Sequence, residues 1–235
     1  GIRNRNFVIA TGLPSGDHYS TANDLARLTI ELIKNHPYHY EIYAERSFEY
    51  NGISQTNRNK LLWRDLSVDG VKTGYTKKAG YCLVASAKRD GMRLVSVVLG
   101  TASDQDRMKE SQKLLSFGFR NYDTQLLHRA NSEITRLKVF YGKSDAVSII
   151  APTDVYVTAP RGDLESAVTE LSVPKHLEAP INKNDVIGSL AVALAGEDEV
   201  IYETKVLAAN EIREANLFGK VSDFFYLFYS ELFGE

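Results

Sequence analysis

Three neighbouring segments in the first half of the chain have the apolar patterns of β-strands. The pair Asp90-Gly91, which is typical of a two-residue hairpin, joins the second segment to the third. The third is too continuously apolar for a half-exposed strand, so we expect it to be buried on both faces. The pattern predicts a three-stranded antiparallel meander formed by Val68–Tyr75, Tyr81–Lys88 and Met92–Gly100.

Helices are expected on either side of these strands. Ser20 or Thr21 is placed to cap the first helix, and Asn35-His36-Pro37 ends it. The second helix begins near Ser103 or Asp104 and is predicted to stop at a glycine, Gly118. Antiparallel strands flanked by helices predict an α+β unit.

After residue 122 the apolar pattern changes twice. Short alternating stretches separated by Gly, Pro, Asn and Asp are typical of a small all-β sandwich or barrel. In the last 20 residues the apolar side chains fall within one third of a helical wheel, which predicts an amphipathic helix. We therefore predict an α+β part at 1–122, an all-β domain at 123–210 and a helix within 211–235.

Composition and charge restrict the classes of function. The fractions of hydrophobic residues, 43%, and charged residues, 25%, are those of a soluble globular protein. The net charge of −2 gives no reason to expect nucleic acid as a partner. Residues 1–122 carry 18 Lys and Arg against 12 Asp and Glu, whereas residues 123–235 carry 10 against 18. This asymmetry suggests two units with different partners.

The residues that most often bind metals give no pattern. The single cysteine, Cys82, excludes an intramolecular disulfide and lies in an apolar run, so we interpret it as a core residue. The histidines are scattered, and His36 and His39 follow a helix end without a third ligand. We predict neither a metal site nor a cofactor. No stretch approaches the ~20 apolar residues of a membrane-spanning helix, and no signal peptide opens the chain.

Lys72-Thr73-Gly74 lies in a longer recognisable context. It stands within Val68–Thr76 and is preceded by Gln55–Trp63, which has the sequence Gln-Thr-Asn-Arg-Asn-Lys-Leu-Leu-Trp. Further along are Ala159-Pro160-Arg161-Gly162 and Phe218-Gly219-Lys220. Together these segments resemble the low-molecular-mass penicillin-binding proteins, specifically D-alanyl-D-alanine carboxypeptidases of the five/six type.

The resemblance implies a part of a serine β-lactamase/transpeptidase-like domain, followed by the family's β domain and membrane-anchoring helix. It also implies roles in binding the peptidoglycan stem peptide, or a β-lactam inhibitor. Lys72 would keep the cleft positive, Thr73 would hydrogen-bond the terminal carboxylate, and Gly74 would let the ligand lie against the strand. Arg58 would help to attract the carboxylate, and Tyr75, which replaces a frequent histidine, would stack on substrate or core.

Two of these assignments have alternatives. Arg58 is as compatible with an ordinary surface residue of a polar loop. The helix could pack on the chain or mediate a homodimer instead of contacting the inner membrane, since its charges are mostly acidic and attraction to anionic lipids would be weak. The side chains expected to contact the membrane are Phe218, Val221, Phe224, Phe225, Phe228 and Leu232.

The motifs that supply the nucleophile in this family are missing. The only Ser-x-x-Lys is Ser172-Val173-Pro174-Lys175, where a proline opposes the helical turn that would align the pair, and no Ser-x-Asn occurs. The family places both motifs upstream of Phe7. We therefore expect either a part of a complete enzyme or a naturally shortened, inactive relative, and the retained Lys72-Thr73-Gly74 favours the first.

The resulting expectation is a periplasmic, membrane-associated D-Ala-D-Ala carboxypeptidase whose catalytic serine and lysine lie outside these residues. A non-catalytic module that docks on the membrane or on partner proteins is the alternative from a different class. A transpeptidase or endopeptidase on the same scaffold is a third possibility.

Overall fold

The computed structural model describes residues 4–11, 14–196, 200–216, 220, 221, 223 and 224. The chain forms two compact units, Gly1–Asp123 and Thr124–Glu235. The helices are α1 Ala22–Asn35, α2 Pro37–Glu41, α3 Leu61–Arg64 and α4 Asp104–Asn121. The strands before α4 are β1 Ser47–Tyr50, β2 Ile53–Thr56, β3 Val68–Thr76, β4 Gly80–Arg89 and β5 Met92–Thr101. The later strands are β6 Tyr122–His128, β7 Glu133–Phe140, β8 Ala146–Ile150, β9 Val155–Pro160, β10 Ala167–Ser172, β11 His176–Glu178, β12 Val186–Leu194 and β13 Val200–Ala208.

The predicted meander is confirmed as a three-stranded antiparallel sheet in the order β3-β4-β5. Asp90 and Gly91 form the hairpin turn between β4 and β5, with φ values of +46° and +87°. Helix α4 packs on β4 and β5, and helix α1, which lies earlier in the sequence, contacts β5. The buried cluster that joins α3, α4 and the sheet contains Leu61, Leu62, Val68, Leu83, Ala85, Ala87 and Leu115.

Both predicted helix starts are confirmed by their caps. The Thr21 side chain accepts a hydrogen bond from the Asp24 amide at 3.1 Å. The Ser103 hydroxyl accepts one from the Asp106 amide at 3.1 Å. The predicted stop of the second helix at Gly118 was wrong, because α4 continues to Asn121.

Gly118 is explained by packing rather than by helix termination. A Cβ at this position would lie 2.5 Å from Leu94 Cδ1 of β5, so a larger residue would fit between the helix and the sheet only if that side chain moved. The glycine is therefore a contact point within the helix.

A hairpin that the apolar pattern did not single out precedes this sheet. β1 and β2 pair antiparallel, with Phe48 opposite Gln55 and Tyr50 opposite Ile53. Asn51 and Gly52 connect them with φ values of +51° and +73°. Positive φ at both positions is typical of the two-residue turn favoured in hairpins.

The second unit is rich in β-structure, as predicted. Its larger sheet has the order β10-β12-β13-β8-β7-β11, in which β11 pairs parallel to β7 and the other strands pair antiparallel. β6 and β9 form a second, two-stranded sheet. Buried residues from both sheets share one core, which includes Val139, Val147, Ile149, Val155, Val157, Leu190, Val192 and Val206.

Only part of the predicted C-terminal helix falls within the described residues. Lys220, Val221, Asp223 and Phe224 have helical backbone, and the Asp223 carboxylate accepts a hydrogen bond from the Tyr141 amide at 2.6 Å. Val221 and Phe224 are exposed. The other predicted membrane contacts, Phe218, Phe225, Phe228 and Leu232, lie outside the described residues, so membrane contact remains a prediction. Across the described ranges, no helix combines the length and apolar character that spanning a membrane requires.

Candidate active site

Strand β3 places Lys72 and Thr73 on opposite faces of the sheet, because side chains alternate along a strand. Thr73 lies opposite Leu83, whose side chain belongs to the buried cluster with α4, and only 8% of Thr73 is exposed. Lys72 lies opposite Val84 and is exposed. Since β3 is the outer strand of the sheet in the part of the chain that the structure describes, its other edge has no strand partner there. Lys72, Thr73 and Gly74 therefore border an open strand edge.

Positive charge is concentrated around Lys72. Its Nζ donates a hydrogen bond to the Thr73 carbonyl at 2.6 Å. Partial burial lowers the pKa of the Lys72 ammonium, and the nearby positive charges of Arg58 and Arg107 lower it further. Arg107 is already paired with Asp104, so the repulsion that a bound anion would relieve is mainly the one between Lys72 and Arg58. The edge of β3 is thus a favourable position for a carboxylate.

The loop that carries Arg58 is fixed by the two asparagines beside it. The Asn57 side-chain Nδ2 donates to the Glu45 carbonyl at 2.9 Å, and its Oδ1 accepts from the Asn59 backbone amide at 2.9 Å. The buried Asn59 side chain donates to the Gly70 carbonyl of β3 at 2.8 Å. The loop is therefore tied directly to the strand that carries Lys72. Arg58 itself is exposed, and its role in binding remains a prediction.

Arg107 is a residue of this site that the sequence patterns did not indicate. It lies on α4 with only 6% of its surface exposed, and its Nη1 donates to the Gly74 carbonyl at 3.0 Å and the Cys82 carbonyl at 3.3 Å. Its Nη2 pairs with Asp104, which also pairs with Lys60 at 2.6 Å. A signal was present in the sequence, because Arg107 occupies the same helical face as the buried residues Ser111, Leu115 and Gly118.

Gly74 is not required by the packing of the protein around it. A Cβ at this position would contact only Cys82 Cβ, at an ordinary 3.9 Å. Gly70 on the same strand is different, because a Cβ there would lie 2.7 Å from the Tyr40 hydroxyl. The open space beside Gly74 is consistent with a ligand that approaches the backbone.

Tyr75 lies opposite Tyr81 on β4, with their ring centroids 4.3 Å apart. Tyr81 in turn lies beneath the Arg107 guanidinium, whose Cζ is 5.4 Å from the ring centroid. Tyr75 thus contacts a neighbouring ring while 56% of it stays exposed, and its predicted stacking on the core remains a prediction. A contact with substrate remains a prediction.

A polar network fixes the beginning of β3. Arg93 of β5 makes two hydrogen bonds to the Asp69 carboxylate, at 2.8 and 2.7 Å, and one to the buried Ser86 hydroxyl at 2.8 Å. The Tyr40 hydroxyl donates to Asp69 Oδ1 at 2.6 Å. Burial raises the pKa of Tyr40, and its hydrogen bond to Asp69 raises it further. The hydrogen bond with Asp69 raises the pKa of Arg93.

Replacing Tyr40 by phenylalanine is expected to lower the free energy of unfolding by about 1 kcal/mol, because Asp69 loses one hydrogen bond while the ring remains packed. Tyr38→Phe is the matched control, since Tyr38 is 77% exposed. Urea denaturation of both variants measures the difference. Equal stability of the two variants would show that the Tyr40 hydroxyl does not stabilise the network.

The Ser172–Lys175 pair does not form a nucleophile motif in the structure. Ser172 is the last residue of β10, and the backbone from Val173 to Lys175 is not helical. The pair therefore lacks the one-turn helical spacing that would bring a lysine to a serine. In the described residues, no group of three or more His, Cys, Asp and Glu side chains could hold a metal ion.

Comparison with known families defines the class of this protein. Residues 1–103 match the family of D-alanyl-D-alanine carboxypeptidases, and residues 122–214 match the C-terminal domain of penicillin-binding protein 5. The two regions follow one another along the chain and cover most of it. The chain therefore belongs to the D-alanyl-D-alanine carboxypeptidases of the penicillin-binding protein 5 type, which confirms the resemblance.

Individual relatives give the same answer. The chain is 41% identical to D-alanyl-D-alanine carboxypeptidase DacA of Escherichia coli K12, a match that covers 100% of this chain and 58% of the relative. It is 39% identical to DacA of Haemophilus influenzae, over 99% of this chain and 60% of the relative. The crystal structure of penicillin-binding protein 5 from Haemophilus influenzae matches with a TM-score of 0.75 and 39% identity, covering 91% of this chain and 62% of that one. The chain thus spans about three fifths of the length of these relatives.

Proposed function

We propose that this chain provides the carboxylate-binding wall of a serine-type D-Ala-D-Ala carboxypeptidase, which removes the terminal D-Ala from peptidoglycan stem pentapeptides. The observation that carries the proposal is the open edge of β3, where Lys72 is exposed and the charges of Arg58 and Arg107 are near enough to lower the pKa of its ammonium. A peptide that ends in a carboxylate matches this charge. Gly74 leaves space for it against the strand.

The substrate would bind as an additional strand along β3, with main-chain hydrogen bonds to the open edge. Its terminal carboxylate would lie near the charges of Lys72 and Arg58. A hydrogen bond from Thr73, whose side chain is on the opposite face and only 8% exposed, would need its hydroxyl to turn towards the strand edge. β-Lactams, which also carry a carboxylate, would occupy the same edge. In this arrangement the chain orients the substrate, and Lys72 and Thr73 contact it during the reaction.

The reaction needs a serine and a lysine that residues 1–235 do not supply in a suitable motif. The serine oxygen would attack the penultimate D-Ala carbonyl, and the terminal D-Ala would leave with the amide nitrogen protonated. Water would then hydrolyse the acyl-enzyme and regenerate the serine. The lysine one helical turn away would accept and return the serine proton.

The remaining parts of the chain suggest where the enzyme acts. We infer that residues 1–122 belong to the catalytic domain, that 123–210 form its β domain, and that 211–235 contact the periplasmic face of the inner membrane. The anchoring of Asp223 to the Tyr141 amide supports this assignment, since it fixes helical residues beside the exposed Val221 and Phe224.

A non-catalytic module that docks on the membrane or on partner proteins is the second candidate. Covalent labelling of the source protein by a β-lactam would exclude it. A transpeptidase or endopeptidase would use the same strand edge, and analysis of the products from a pentapeptide and a cross-linked dimer would separate those activities from a carboxypeptidase.

The 235-residue chain is expected to bind an acyl-D-Ala-D-Ala peptide reversibly without hydrolysing it, and not to be labelled covalently by a fluorescent penicillin. Gly74→Ala should weaken peptide binding about 10-fold, because a methyl group at the strand edge would occupy the space of the ligand. Its stability should change little, since the new Cβ meets only ordinary contacts. Calorimetric titration, thermal unfolding and intact mass provide the three measurements.

Gly70→Ala is the matched control on the same strand. It should destabilise the protein, because its Cβ would collide with the Tyr40 hydroxyl. Unchanged peptide binding by Gly74→Ala would argue against a ligand on this edge, and penicillin labelling of the chain would show that it contains a nucleophile.

A further inference from the structure

The β1–β2 hairpin presents an apolar face to solvent. Because side chains alternate, Phe48, Tyr50, Ile53 and Gln55 share one face of the hairpin, and polar residues occupy the other. Phe48 is 65% exposed, Tyr50 73% and Ile53 61%. The aromatic rings of Phe48 and Tyr50 are nearly parallel, with an interplanar angle of 8° and centroids 6.5 Å apart. They form an exposed apolar surface with two aromatic rings.

This surface is connected to the candidate active site through the chain. Strand β2 ends at Thr56 and leads directly into the anchored loop that carries Arg58. At ~3.3 Å per residue, Gln55 lies at most about 10 Å from Arg58, and Ile53 at most about 17 Å. Phe48 and Tyr50 are the cross-strand partners of these two residues and therefore lie at similar distances along the hairpin.

The separation of the hairpin from Arg58 lies within the length of a stem peptide. That peptide is the substrate of the proposed function, on which this inference rests. An extended stem of five residues spans about 17 Å from its terminal carboxylate to the sugar that carries it. With the carboxylate held near Arg58 and Lys72, the sugar end could reach the hairpin. A sugar ring has an apolar face of C–H groups, and an exposed aromatic ring is a suitable partner for it.

We propose that Phe48, Tyr50 and Ile53 form a binding surface for the N-acetylated amino sugars of peptidoglycan. The site would distinguish a stem peptide attached to glycan from a free peptide. The two aromatic rings would supply most of the contact area, and the polar groups of the sugar would remain in solvent.

The test compares three ligands by calorimetric titration of the 235-residue chain: a free stem pentapeptide, the same peptide on an N-acetylglucosamine–N-acetylmuramic acid disaccharide, and the disaccharide alone. We expect the disaccharide to tighten peptide binding. Phe48→Ala and Tyr50→Ala should each weaken binding of the disaccharide-peptide about 2- to 10-fold and leave binding of the free peptide unchanged. Glu49→Ala, an exposed residue on the other face of the hairpin, is the matched control.

The outcomes separate this inference from the proposed function. Equal affinity of the chain for the free and the sugar-linked peptide would overturn the inference and leave the proposed function standing. If the chain bound the disaccharide but not the peptide, and Phe48→Ala abolished the disaccharide binding, the sugar-binding surface would be supported and the proposed function contradicted. Lower thermal stability or altered self-association of the two variants, with unchanged sugar binding, would assign the face to protein packing and overturn the inference.

Discussion

Replacing Lys72 by alanine is expected to weaken binding of an acyl-D-Ala-D-Ala peptide roughly 10- to 100-fold, which is the effect of losing one charge-assisted hydrogen bond of about 1.5–3 kcal/mol. The ammonium lies at the open edge of β3 and has only the Thr73 carbonyl as a hydrogen-bond partner in the described residues. A carboxylate would add a charged partner at this position. Titration calorimetry of the wild-type chain and the variant measures the loss.

The pH dependence of binding tests the same residue independently. Burial and the charges of Arg58 and Arg107 lower the pKa of Lys72 below the ordinary 10.5. Peptide affinity should therefore fall as the pH rises through this lowered pKa, because the neutral amine no longer attracts the carboxylate. Lys72→Arg should retain affinity over the same range, since a guanidinium stays protonated.

Stability responds to the titration of Lys72 in the opposite direction from peptide affinity. Between the lowered pKa of the folded state and 10.5, the unfolded chain binds more protons at Lys72 than the folded chain does. The contribution of this residue to stability therefore rises with pH across that range. A peptide affinity independent of pH up to 10.5, or equal to that of Lys72→Ala, would mean that Lys72 does not contact the ligand.

The strand that carries Lys72-Thr73-Gly74 could be predicted from the local pattern, whereas its assignment to a binding site rests on the resemblance to the family. Lys72, Thr73 and Gly74 lie within one strand, and the turn at residues 77–79 joins that strand to β4. Local patterns are sufficient for such features because strand pairing and turn geometry are determined over a few residues.

The missed features depend on contacts that are distant in sequence. Arg107 reaches Gly74 across 33 residues, and Tyr40 reaches Asp69 across 29. The identity of an arginine on a helix does not specify which carbonyl it contacts. Gly118 illustrates the converse, because its role follows from Leu94 on another strand rather than from its own position in the helix.

The hairpin at Ser47–Thr56 was missed for a different reason. The Asn51-Gly52 pair is a strong local hairpin signal, and it was present in the sequence. Its strands have only four residues each, and their apolar face is exposed rather than buried. A pattern analysis that searches for core-facing strands therefore passes over it.

Arg107→Met is expected to lower the free energy of unfolding by about 2–4 kcal/mol, because the change leaves two backbone carbonyls and a carboxylate without a buried donor. Methionine preserves most of the side-chain volume, so the loss reports on hydrogen bonds rather than on a cavity. Lys109→Met is the matched control on the exposed side of the same helix. Urea denaturation of both variants gives the comparison.

The pH dependence of stability identifies the carboxylate involved. The hydrogen bond from Lys60 lowers the pKa of Asp104 below its ordinary 3.8, and Arg107 lowers it further. The stability that Asp104 contributes is therefore present above 3.8 and is lost as the pH falls through its lowered pKa in the folded state. In Arg107→Met this acid-dependent loss should be smaller, because only Lys60 remains as a partner. Equal stability and equal acid dependence of Arg107→Met and Lys109→Met would contradict this prediction. Arg107 would then not hold the strand that carries Gly74, and the edge of β3 would not depend on α4.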